Sequence, residues 1–413
     1  MTESACTPGA SGLRSYDEAL ALLLGHARPV LRHEHVALHD ALGRVLAAPV
    51  VSRIDVPGWD NSAMDGYAVR RADLAGDGPR LRVAQRIAAG TAGAGLEAGT
   101  AARIFTGAPV PPGADTVVIQ EACERDGDFV SIRQVPKVGA NIRRAGEDIR
   151  AGADVIAAGT RLGPAHLGLA ASVGVAELAV REPLRVALFC SGDELVMPGQ
   201  PLGPGQIYNS NQFTAAALLR ALGCEVVNLG IVEDSLDATC EALSRGAAAA
   251  DLVLATGGVS VGEEDHVKPA VERLGSLDLW KIAIRPGKPL AFGRIGDTPF
   301  VGTPGNPVSL FVTFVLFARP FILRMQGRGD VDPVVVPAVS DFDWPKPDKR
   351  REYVRARLEA AEGGVARVKI HPSRSSAVLS SVAWASGLAV IPEGRVLERG
   401  DPIDFLPFSE LLA

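Results

Sequence analysis

Apolar and polar residues follow a helical pattern at the start of the chain and a strand pattern further on. Residues 15–27, which begin with a capping serine, and residues 39–46 are predicted to form amphipathic helices. Between about residues 73 and 143, short β-prone runs alternate with glycine and proline, which predicts a mostly β module. The helical pattern returns at residues 162–173. We therefore expect the segments on either side of the β module to pack together.

From residue 184 onward, short apolar runs alternate with helical patterns. The runs LRVALF and DLVLA are continuously apolar, which is typical of strands that are buried on both faces. Helices are predicted at about residues 211–222, 236–249 and 266–274, and a last helix follows Pro307. This order of strands and helices predicts an open, mostly parallel sheet with helices on both faces.

After about residue 327, short β-prone segments return, and they predict a small β-barrel or sandwich. The predicted fold class is therefore a multidomain α/β protein built around an open αβα sheet domain. Its predicted parts are a helical region (12–51 and 146–182), an inserted mostly β module (52–145), the sheet domain (183–329) and a C-terminal β-barrel (330–413).

The composition narrows the classes of protein. The 42 Lys and Arg residues against 48 Asp and Glu residues give a net charge of −6, which argues against a nucleic-acid or anionic-membrane binder. The five cysteines are widely spaced, as expected for a reducing cytoplasm rather than for disulfides or structural zinc. The N-terminus does not resemble a signal peptide, and the longest apolar stretch, residues 310–318, is about half a membrane span. We expect a cytoplasmic protein with a buried helix at this stretch.

Four predicted strands are followed by loops rich in glycine, small hydroxyl groups and carboxylates. Because ligands of open α/β sheets bind beyond the carboxyl ends of the strands, these loops are expected to face one site. Glycine backbone N–H groups bind oxyanions, and carboxylates hold a hard cation such as Mg²⁺. One such loop alone is more often a plain turn or a helix cap, but four at corresponding strand ends favour a phosphate and metal site. The loops comprise residues 190–194, 231–235, 256–265 and 302–307.

Positive charge is concentrated near another predicted strand end. Lys281, Arg285 and Lys288 lie close together in an acidic chain, which favours a polyanionic ligand. Two loops outside the sheet, residues 60–66 and 141–148, add further acids and arginines. The residue pattern leaves open whether these two loops face the same site or are plain turns.

One motif suggests a different chemistry. Residues 258–262 match the Gly-x-Ser-x-Gly elbow of hydrolases, but a catalytic triad also requires a suitable histidine. His266 is too close in sequence, and His371 lies in a different predicted module, so a metal and phosphate site is favoured. Three other histidines are predicted to lie at the surface, on or beside a helix, rather than to bind a metal: His33, His35 and His39.

Eight long motifs occur in a fixed order from about residue 55 to residue 315: VPGWDNSAMDGYAV, IFTGAPVPPGAD, GANIRRAGEDI, SGDEL, GQIYNSN, ATGGVSVGEEDH, IRPGKPLAFG and GTPGNPVSLFVTF. The set closely resembles the MoeA family of molybdopterin molybdenumtransferases, which are related to the E domain of gephyrin. The resemblance covers nearly the whole chain and is weakest after Gly327.

The resemblance implies a four-domain subunit that forms a homodimer, with a sheet domain similar to that of the molybdopterin adenylyltransferases. It implies that adenylylated molybdopterin and molybdate are the substrates, and that molybdenum cofactor and AMP are the products. Mg²⁺ is the implied cofactor for cleavage of the pyrophosphate. The active cleft is expected between subunits, and the adenylyltransferase and molybdoenzyme-maturation proteins are expected as further partners.

The family's functional residues are carried over by position in the matching motifs. Of the implied catalytic residues, Glu194, Asp234 and Asp265 are also the expected metal ligands. Arg285 stands where the family has a second lysine, so a planar guanidinium replaces a compact ammonium. The implied catalytic residues are Asp65, Asp148, Glu194, Asp234, Asp265 and Lys281. The implied substrate-binding residues are Thr106, Ser191, Gly192, Thr256, Gly257, Gly258, Ser260, Arg285, Lys288, Pro304, Asn306, Pro307, Ser373, Arg374 and Ser375, with Ser376 in the same serine-rich segment.

Two other functions stay open from the sequence. The chain resembles molybdopterin adenylyltransferases in its sheet domain, and that domain alone does not separate the two reactions. A non-catalytic pterin-binding scaffold is the third possibility, because the related gephyrin domain anchors receptors. The additional domains and the motifs around Asp65 and Asp148 favour the insertion of molybdate, and the retained acids favour catalysis over a scaffold.

Overall fold

A computed structural model describes residues 13–76, 79–259, 265–360 and 364–412. Its central element is a six-stranded sheet in which four neighbouring strands run parallel and the last two pair antiparallel at one edge. The predicted open, mostly parallel sheet is therefore confirmed. In spatial order the strands are Glu225–Val232, Arg185–Ser191, Leu252–Thr256, Thr298–Thr303, Pro289–Ile295 and Gly275–Lys281.

Helices cover both faces of this sheet, as predicted. Ser210–Ala221 packs on one face, and Leu236–Ala249 and Val267–Leu274 pack on the other. Successive side chains of Arg185–Ser191 enter these two cores alternately, because neighbouring strand residues point to opposite faces. The side chain of Asn209 caps the helix Ser210–Ala221 by accepting a backbone hydrogen bond from the Gln212 N–H.

The helix that follows Pro307 is the most apolar element. Among the described residues, Pro307–Met325 is the one helix long and apolar enough to cross a membrane, with a mean hydropathy of 1.7. Yet 94% of its apolar window is buried inside the protein, where Phe321 packs against Phe292 of the sheet at 5.3 Å between ring centres. Its middle turn, Phe314–Ala318, is π-helical. The predicted buried helix is therefore confirmed.

The first helix, Tyr16–His26, begins with a capping box. The Ser15 hydroxyl accepts a bond from the Glu18 N–H at 3.2 Å, and the Glu18 carboxylate accepts one from the Ser15 N–H at 2.9 Å. Its buried residues Ala19 and Leu23 belong to the core of the sheet domain. This helix, which the sequence analysis placed in the helical region, therefore packs on the sheet domain.

Two strand pairs join the segments that flank the inserted module. His33–Ala37 pairs antiparallel with Glu177–Arg181, and Val50–Val51 pairs antiparallel with Asp154–Ile156. The helix Pro164–Ser172 packs into the same small core. The expectation that these segments pack together is confirmed, although strand pairs contribute more to the region than predicted.

The helix predicted at residues 39–46 is wrong. Leu38–Asp40 forms a single 3₁₀ turn, and Gly43 then adopts a φ of +77°, which is outside the helical region. The Gly43 N–H donates to the carbonyl of Leu162 at 2.7 Å, so long-range backbone pairing replaces the local helical bonds. The histidine cluster accordingly lies on an exposed strand and this turn.

The inserted module is a six-stranded sheet, as its β-prone runs predicted. Asn61–Ser62 pairs antiparallel with Ile142–Arg143 and so connects the two ends of the module. Single 3₁₀ turns lie at Arg71–Leu74 and Gln120–Ala122. In spatial order the strands are Thr116–Ile119, Gly66–Val69, Thr100–Ile104, Arg80–Ile87, Phe129–Ile132 and Cys123–Asp126.

The C-terminal region is a closed five-stranded barrel. The strand Arg351–Ala360 pairs with two others, which closes the ring, and the short strand Ile284–Arg285 from the sheet domain runs parallel to its start. This last pair attaches the barrel to the sheet domain. The barrel strands are Val336–Ser340, Arg351–Ala360, Ala366–Ile370, Gly387–Ile391 and Pro402–Pro407, and its helices are Ser380–Trp384 and Phe408–Leu411.

Docking of the first helix on the sheet domain gives a stability prediction. Leu23 is fully buried, so Leu23→Ala should lower the free energy of unfolding by about 2–5 kcal/mol through lost burial and the cavity left behind. Leu31→Ala is the control, because Leu31 is 70% exposed and its loss should change stability by less than about 0.5 kcal/mol. Urea unfolding followed by circular dichroism measures both. Equal effects of the two substitutions would contradict the packing described here.

Candidate active site

A cleft with a volume of about 1010 Å³ lies between the carboxyl ends of the parallel strands and the C-terminal barrel. All four loops singled out in the sequence contribute residues to it. Part of its wall comes from a short strand pair, Leu195–Val196 with Ile207–Tyr208. The sequence-predicted residues that line the cleft are Ser191, Gly192, Glu194, Asp234, Thr256, Gly257, Gly258, Asp265, Arg285, Lys288, Pro304, Asn306, Pro307 and Arg374.

Asp234 is held in place by the neighbouring strand-end loop. Its Oδ1 accepts a hydrogen bond from the Ser191 hydroxyl at 2.5 Å, and its Oδ2 accepts one from the Asp193 N–H at 3.2 Å. In return, the Asp193 carboxylate accepts a bond from the Asp234 N–H at 3.0 Å. This reciprocal pairing joins the loops of two adjacent strands and fixes the direction of one cleft carboxylate.

A glycine allows two of these loops to approach closely. A Cβ on Gly257, whose φ is +92°, would lie 2.4 Å from the carbonyl oxygen of Ser191, so both the backbone conformation and the neighbouring backbone exclude a larger residue. Gly192 has a φ of +153°, and a Cβ there would lie 2.6 Å from the Glu194 carboxylate, the movable end of a side chain in the same loop. At Gly192 it is therefore the backbone conformation that favours glycine.

Asn211 connects two further loops and is a residue that the sequence analysis did not assign. Its Nδ2 donates to the Thr256 hydroxyl at 3.1 Å and to the Gly305 carbonyl at 2.6 Å. The bonds tie the first turn of a helix to the loops after two parallel strands. Its position in the motif GQIYNSN was the available signal, but that motif gave no role for the residue.

Basic side chains occupy the wall nearest the barrel. Arg285 and Arg350 both bind Asp348, at 3.1 and 3.3 Å. Hydrogen bonds from Arg350 and the charge of Arg285 hold the pKa of Asp348 below its usual value. Lys288 lines the cleft beside them. Lys281 does not line the cleft, although Pro289, with which it pairs on the adjacent strand, does.

The serine-rich segment of the barrel divides into two groups. Arg374 and Ser376 line the cleft, whereas Ser373 and Ser375 do not. The backbone carbonyls of Ser373 and Ser375 accept bonds from Arg355, at 2.8 and 3.2 Å. Burial, aided by the charge of Arg374, lowers the pKa of Arg355. Glu352, Arg350 and Arg355 also line the cleft and were missed, since no local sequence pattern marked them.

The predicted residues in and just after the inserted module lie away from the cleft of their own chain. Asp65 Oδ1 accepts bonds from both the N–H and the hydroxyl of Thr106, each at 2.8 Å, and these bonds lower the pKa of Asp65. Asp148 is exposed on a neighbouring loop, where its N–H donates to Val56. The strand pair at Asn61–Ser62 brings these two loops together.

The acids of the cleft do not form a complete metal cage. Glu194, Asp234 and Asp265 all line it, but among the described residues no three His, Cys, Asp or Glu side chains converge on one metal position. Mg²⁺ keeps several waters and is often held by one or two carboxylates plus substrate phosphates, so these acids fit a metal that the substrate brings or completes. Ser260 lies outside the described residues.

The fold and the cleft define an α/β protein with a cleft lined by acidic and basic side chains at the strand ends of its sheet. Its sequence matches the MoeA N-terminal region (domain I and II) at residues 14–174, the probable molybdopterin binding domain at 187–324 and the MoeA C-terminal region (domain IV) at 337–408. The molybdopterin molybdenumtransferase of Haemophilus influenzae is 38% identical over 400 residues, which cover 96% of this chain and 99% of that protein. The chain therefore belongs to the MoeA family of molybdopterin molybdenumtransferases.

Two further relatives have similar length and fold. Molybdopterin molybdenumtransferase 2 of Mycobacterium tuberculosis is 40% identical over 398 residues, covering 93% of this chain and 96% of the relative. The crystal structure of the molybdopterin biosynthesis moeA protein from Pyrococcus horikoshii OT3 superimposes with a TM-score of 0.84 at 28% identity. That match covers 96% of this chain and all of the other.

The contact between Thr106 and Asp65 predicts a measurable titration. Thr106→Val removes the hydroxyl donor but keeps the backbone donor, so the pKa of Asp65 should rise part of the way toward its usual value. Carboxyl ¹³C chemical shifts measured against pH report the change. Asp60, whose pKa is lowered by Ala145 and Arg144, is the internal control and should not move. An unchanged titration of Asp65 would mean that the hydroxyl bond has no influence on the charged form.

Proposed function

We propose that this protein inserts molybdate into adenylylated molybdopterin, with hydrolysis of the pyrophosphate bond and release of AMP and molybdenum cofactor. The observation that carries the proposal is one cleft in which strand-end acids face several guanidinium and ammonium groups. Such a site suits a ligand with two linked phosphates and a second oxyanion. The near full-length similarity to relatives that are named molybdenumtransferases favours insertion over adenylyl transfer or a scaffold role.

The acidic side of the cleft is assigned to the pyrophosphate and its metal. Glu194, Asp234 and Asp265 would hold Mg²⁺ together with the substrate phosphates, with one or two of these acids binding it at a time. The metal would neutralise phosphate charge and polarise the phosphorus for attack by water. Ser191 and Asp193 keep the Asp234 carboxylate directed at this position through their hydrogen bonds. Glycine backbones at the strand ends leave space for the phosphate oxygens.

The basic side of the cleft is assigned to the oxyanions. Arg285, Lys288, Arg350 and Arg374 are positioned to neutralise the phosphates and molybdate. Lys281 remains a proposed catalytic residue next to the cleft wall rather than in it. The sulfur ligands of molybdenum come from the pterin, and burial raises the pKa of the nearby Cys190 thiol to about 11, so this cysteine stays protonated.

The residues of the inserted module are assigned to the cleft of a second subunit. Asp148 is exposed and Asp65 is half-buried. Trp59 (55%) and Met64 (43%) are exposed on the loop of Asp65, which gives this loop an apolar surface suited to a partner chain. In the proposed homodimer, these acids position water or molybdate in the partner's cleft. The proposal also includes a cytoplasmic location, substrate transfer from an adenylyltransferase and delivery of product to molybdoenzyme-maturation proteins.

The proposed reaction predicts molybdate-dependent release of AMP. Purified protein incubated with adenylylated molybdopterin, Mg²⁺ and molybdate should release AMP, and omission of molybdate should reduce the rate. Asp234→Asn should slow release by about 10- to 100-fold and raise the Mg²⁺ concentration required, because one metal-directed carboxylate is lost. Asp237→Asn is the control, since Asp237 is 96% exposed on a helix and should leave both values unchanged.

Two outcomes would decide against this reading. If the protein binds the nucleotide without ever cleaving it, the scaffold function replaces the enzyme. If Asp234→Asn retains the wild-type rate and Mg²⁺ dependence, the acid has no part in the metal site.

The shared cleft predicts complementation between two impaired variants. Asp65→Asn and Asp234→Asn should each retain no more than about a tenth of wild-type activity on their own, but a heterodimer of the two contains one cleft in which both acids are intact. Random mixing makes half of the dimers mixed, so co-expressed subunits should recover about a quarter of wild-type activity. Co-expression of Asp65→Asn with Asp148→Asn is the control: both acids belong to one proposed half-site, so no cleft becomes complete. If activity is recovered in neither mixture, Asp65 and Asp234 do not act together in a cleft between two subunits.

A further inference from the structure

Arg374 is held at the edge of the cleft by two side chains. Its Nη2 donates to Glu352 Oε2 at 2.9 Å, and its guanidinium carbon lies 3.9 Å from the centre of the Trp344 ring. Arg374 and Glu352 both line the cleft, while Trp344 belongs to the apolar core of the barrel. One contact fixes the edge of the guanidinium and the other fixes its face.

The burial of the three residues differs sharply. The side chain of Glu352 is 4% exposed and Trp344 is 4% exposed, whereas the side chain of Arg374 is 49% exposed. Glu352 also lies on the barrel strand that pairs with Ile284–Arg285 of the sheet domain, so its backbone is fixed by two neighbouring elements. A half-exposed arginine is thus anchored to two buried side chains.

This anchoring leaves donors of Arg374 available to a ligand. A guanidinium has five N–H donors in a plane, and Glu352 accepts from only one of its terminal nitrogens. Stacking on Trp344 occupies a face and no donor. The remaining N–H groups keep a fixed direction, which suits a tetrahedral oxyanion that accepts two parallel bonds.

The presence of Glu352 in an anion-binding cleft requires an explanation. Its Oε1 is buried and has no hydrogen-bond partner among the residues that the structure describes, and a buried carboxylate is unfavourable unless its charge is compensated. By its charge alone, Glu352 opposes the binding of an anion. Its contact with Arg374 offsets this effect, because an arginine that is already ordered loses less conformational freedom when a ligand binds.

We propose that Glu352 and Trp344 are positioning residues that hold Arg374 as a preformed receptor for an oxyanion of the ligand. The oxyanion is either the nucleotide phosphate or molybdate, which share the tetrahedral acceptor geometry. Its identity rests on the function proposed above, whereas the receptor geometry does not.

The test measures binding rather than turnover. AMP and inorganic molybdate are titrated separately, by calorimetry, into the wild-type protein and into Glu352→Gln and Trp344→Leu. Both variants should weaken binding of the same probe by about three- to tenfold, through lost ordering of Arg374. Trp344→Phe should restore most of the affinity because it keeps an aromatic face. Glu359→Gln is the matched control, since Glu359 lies on the same strand in an exposed pair with Lys369.

The charge of Glu352 makes the direction of the effect decisive. If Glu352 only competes with the ligand for Arg374, Glu352→Gln removes a negative charge and tightens binding, which would overturn the proposal. In an Arg374→Ala background, Trp344→Leu should cause no further loss of affinity, because both positioning residues act through that arginine. A loss as large as in the wild-type background would show a merely structural effect, and melting temperatures identify variants that fail to fold.

Failure of the receptor and failure of the proposed function are distinguishable. If the wild-type protein binds a probe through Arg374 but releases no AMP, the proposed receptor stands and the proposed molybdate insertion is rejected. The receptor is overturned if Arg374→Ala binds each probe as tightly as the wild type does. It is also overturned if the wild type binds neither probe, even when AMP release is normal.

Discussion

Parallel strands in one sheet must end at the same edge, and this constraint places every acidic loop of the cleft. Ser191 and Thr256 are the last residues of two neighbouring strands, and Asp234 comes shortly after a third strand beside them, so the three meet without any need for long loops. The loops are then tied sideways by Asp193 and Asn211. The barrel adds Arg350 and Arg374 to the basic wall that Arg285 and Lys288 begin, and its first contact with the sheet domain is the short strand pair at Ile284–Arg285. The site is thus a consequence of strand direction, completed by a second domain.

The sheet domain could be predicted because its strands are buried on both faces and its helices are regular. Long-range pairing has no such local signal. At Gly43 the backbone bonds to Leu162, more than one hundred residues away, and the predicted amphipathic helix does not form. The first helix shows a related limit, since an apolar stripe containing Leu23 indicates burial but not which core receives it.

The same distinction applies to the candidate site. In the loops after predicted strands, the glycines and carboxylates lie within a few residues of the strand end, so Glu194, Asp234 and Gly257 could be singled out directly. Glu352 lies on a barrel strand and Arg350 lies just before it. The alternation of apolar and polar residues along a strand indicates only which face is buried, and no neighbouring residue indicates a cleft. Lys281 illustrates the opposite case: a basic residue singled out from the sequence does not line the cleft, although Pro289, its partner on the adjacent strand, does.

The order of elements along the chain has a consequence for biosynthesis. Pro307–Met325 is apolar enough to be mistaken for a membrane span while it emerges from the ribosome. All six strands of the sheet precede it in the chain, so the sheet face against which it packs has already been synthesised when it appears. The barrel comes later and completes the burial, since Phe408 packs against Phe311 at 5.0 Å between ring centres. A delay in folding of the sheet would expose this helix to the membrane-insertion machinery and to aggregation.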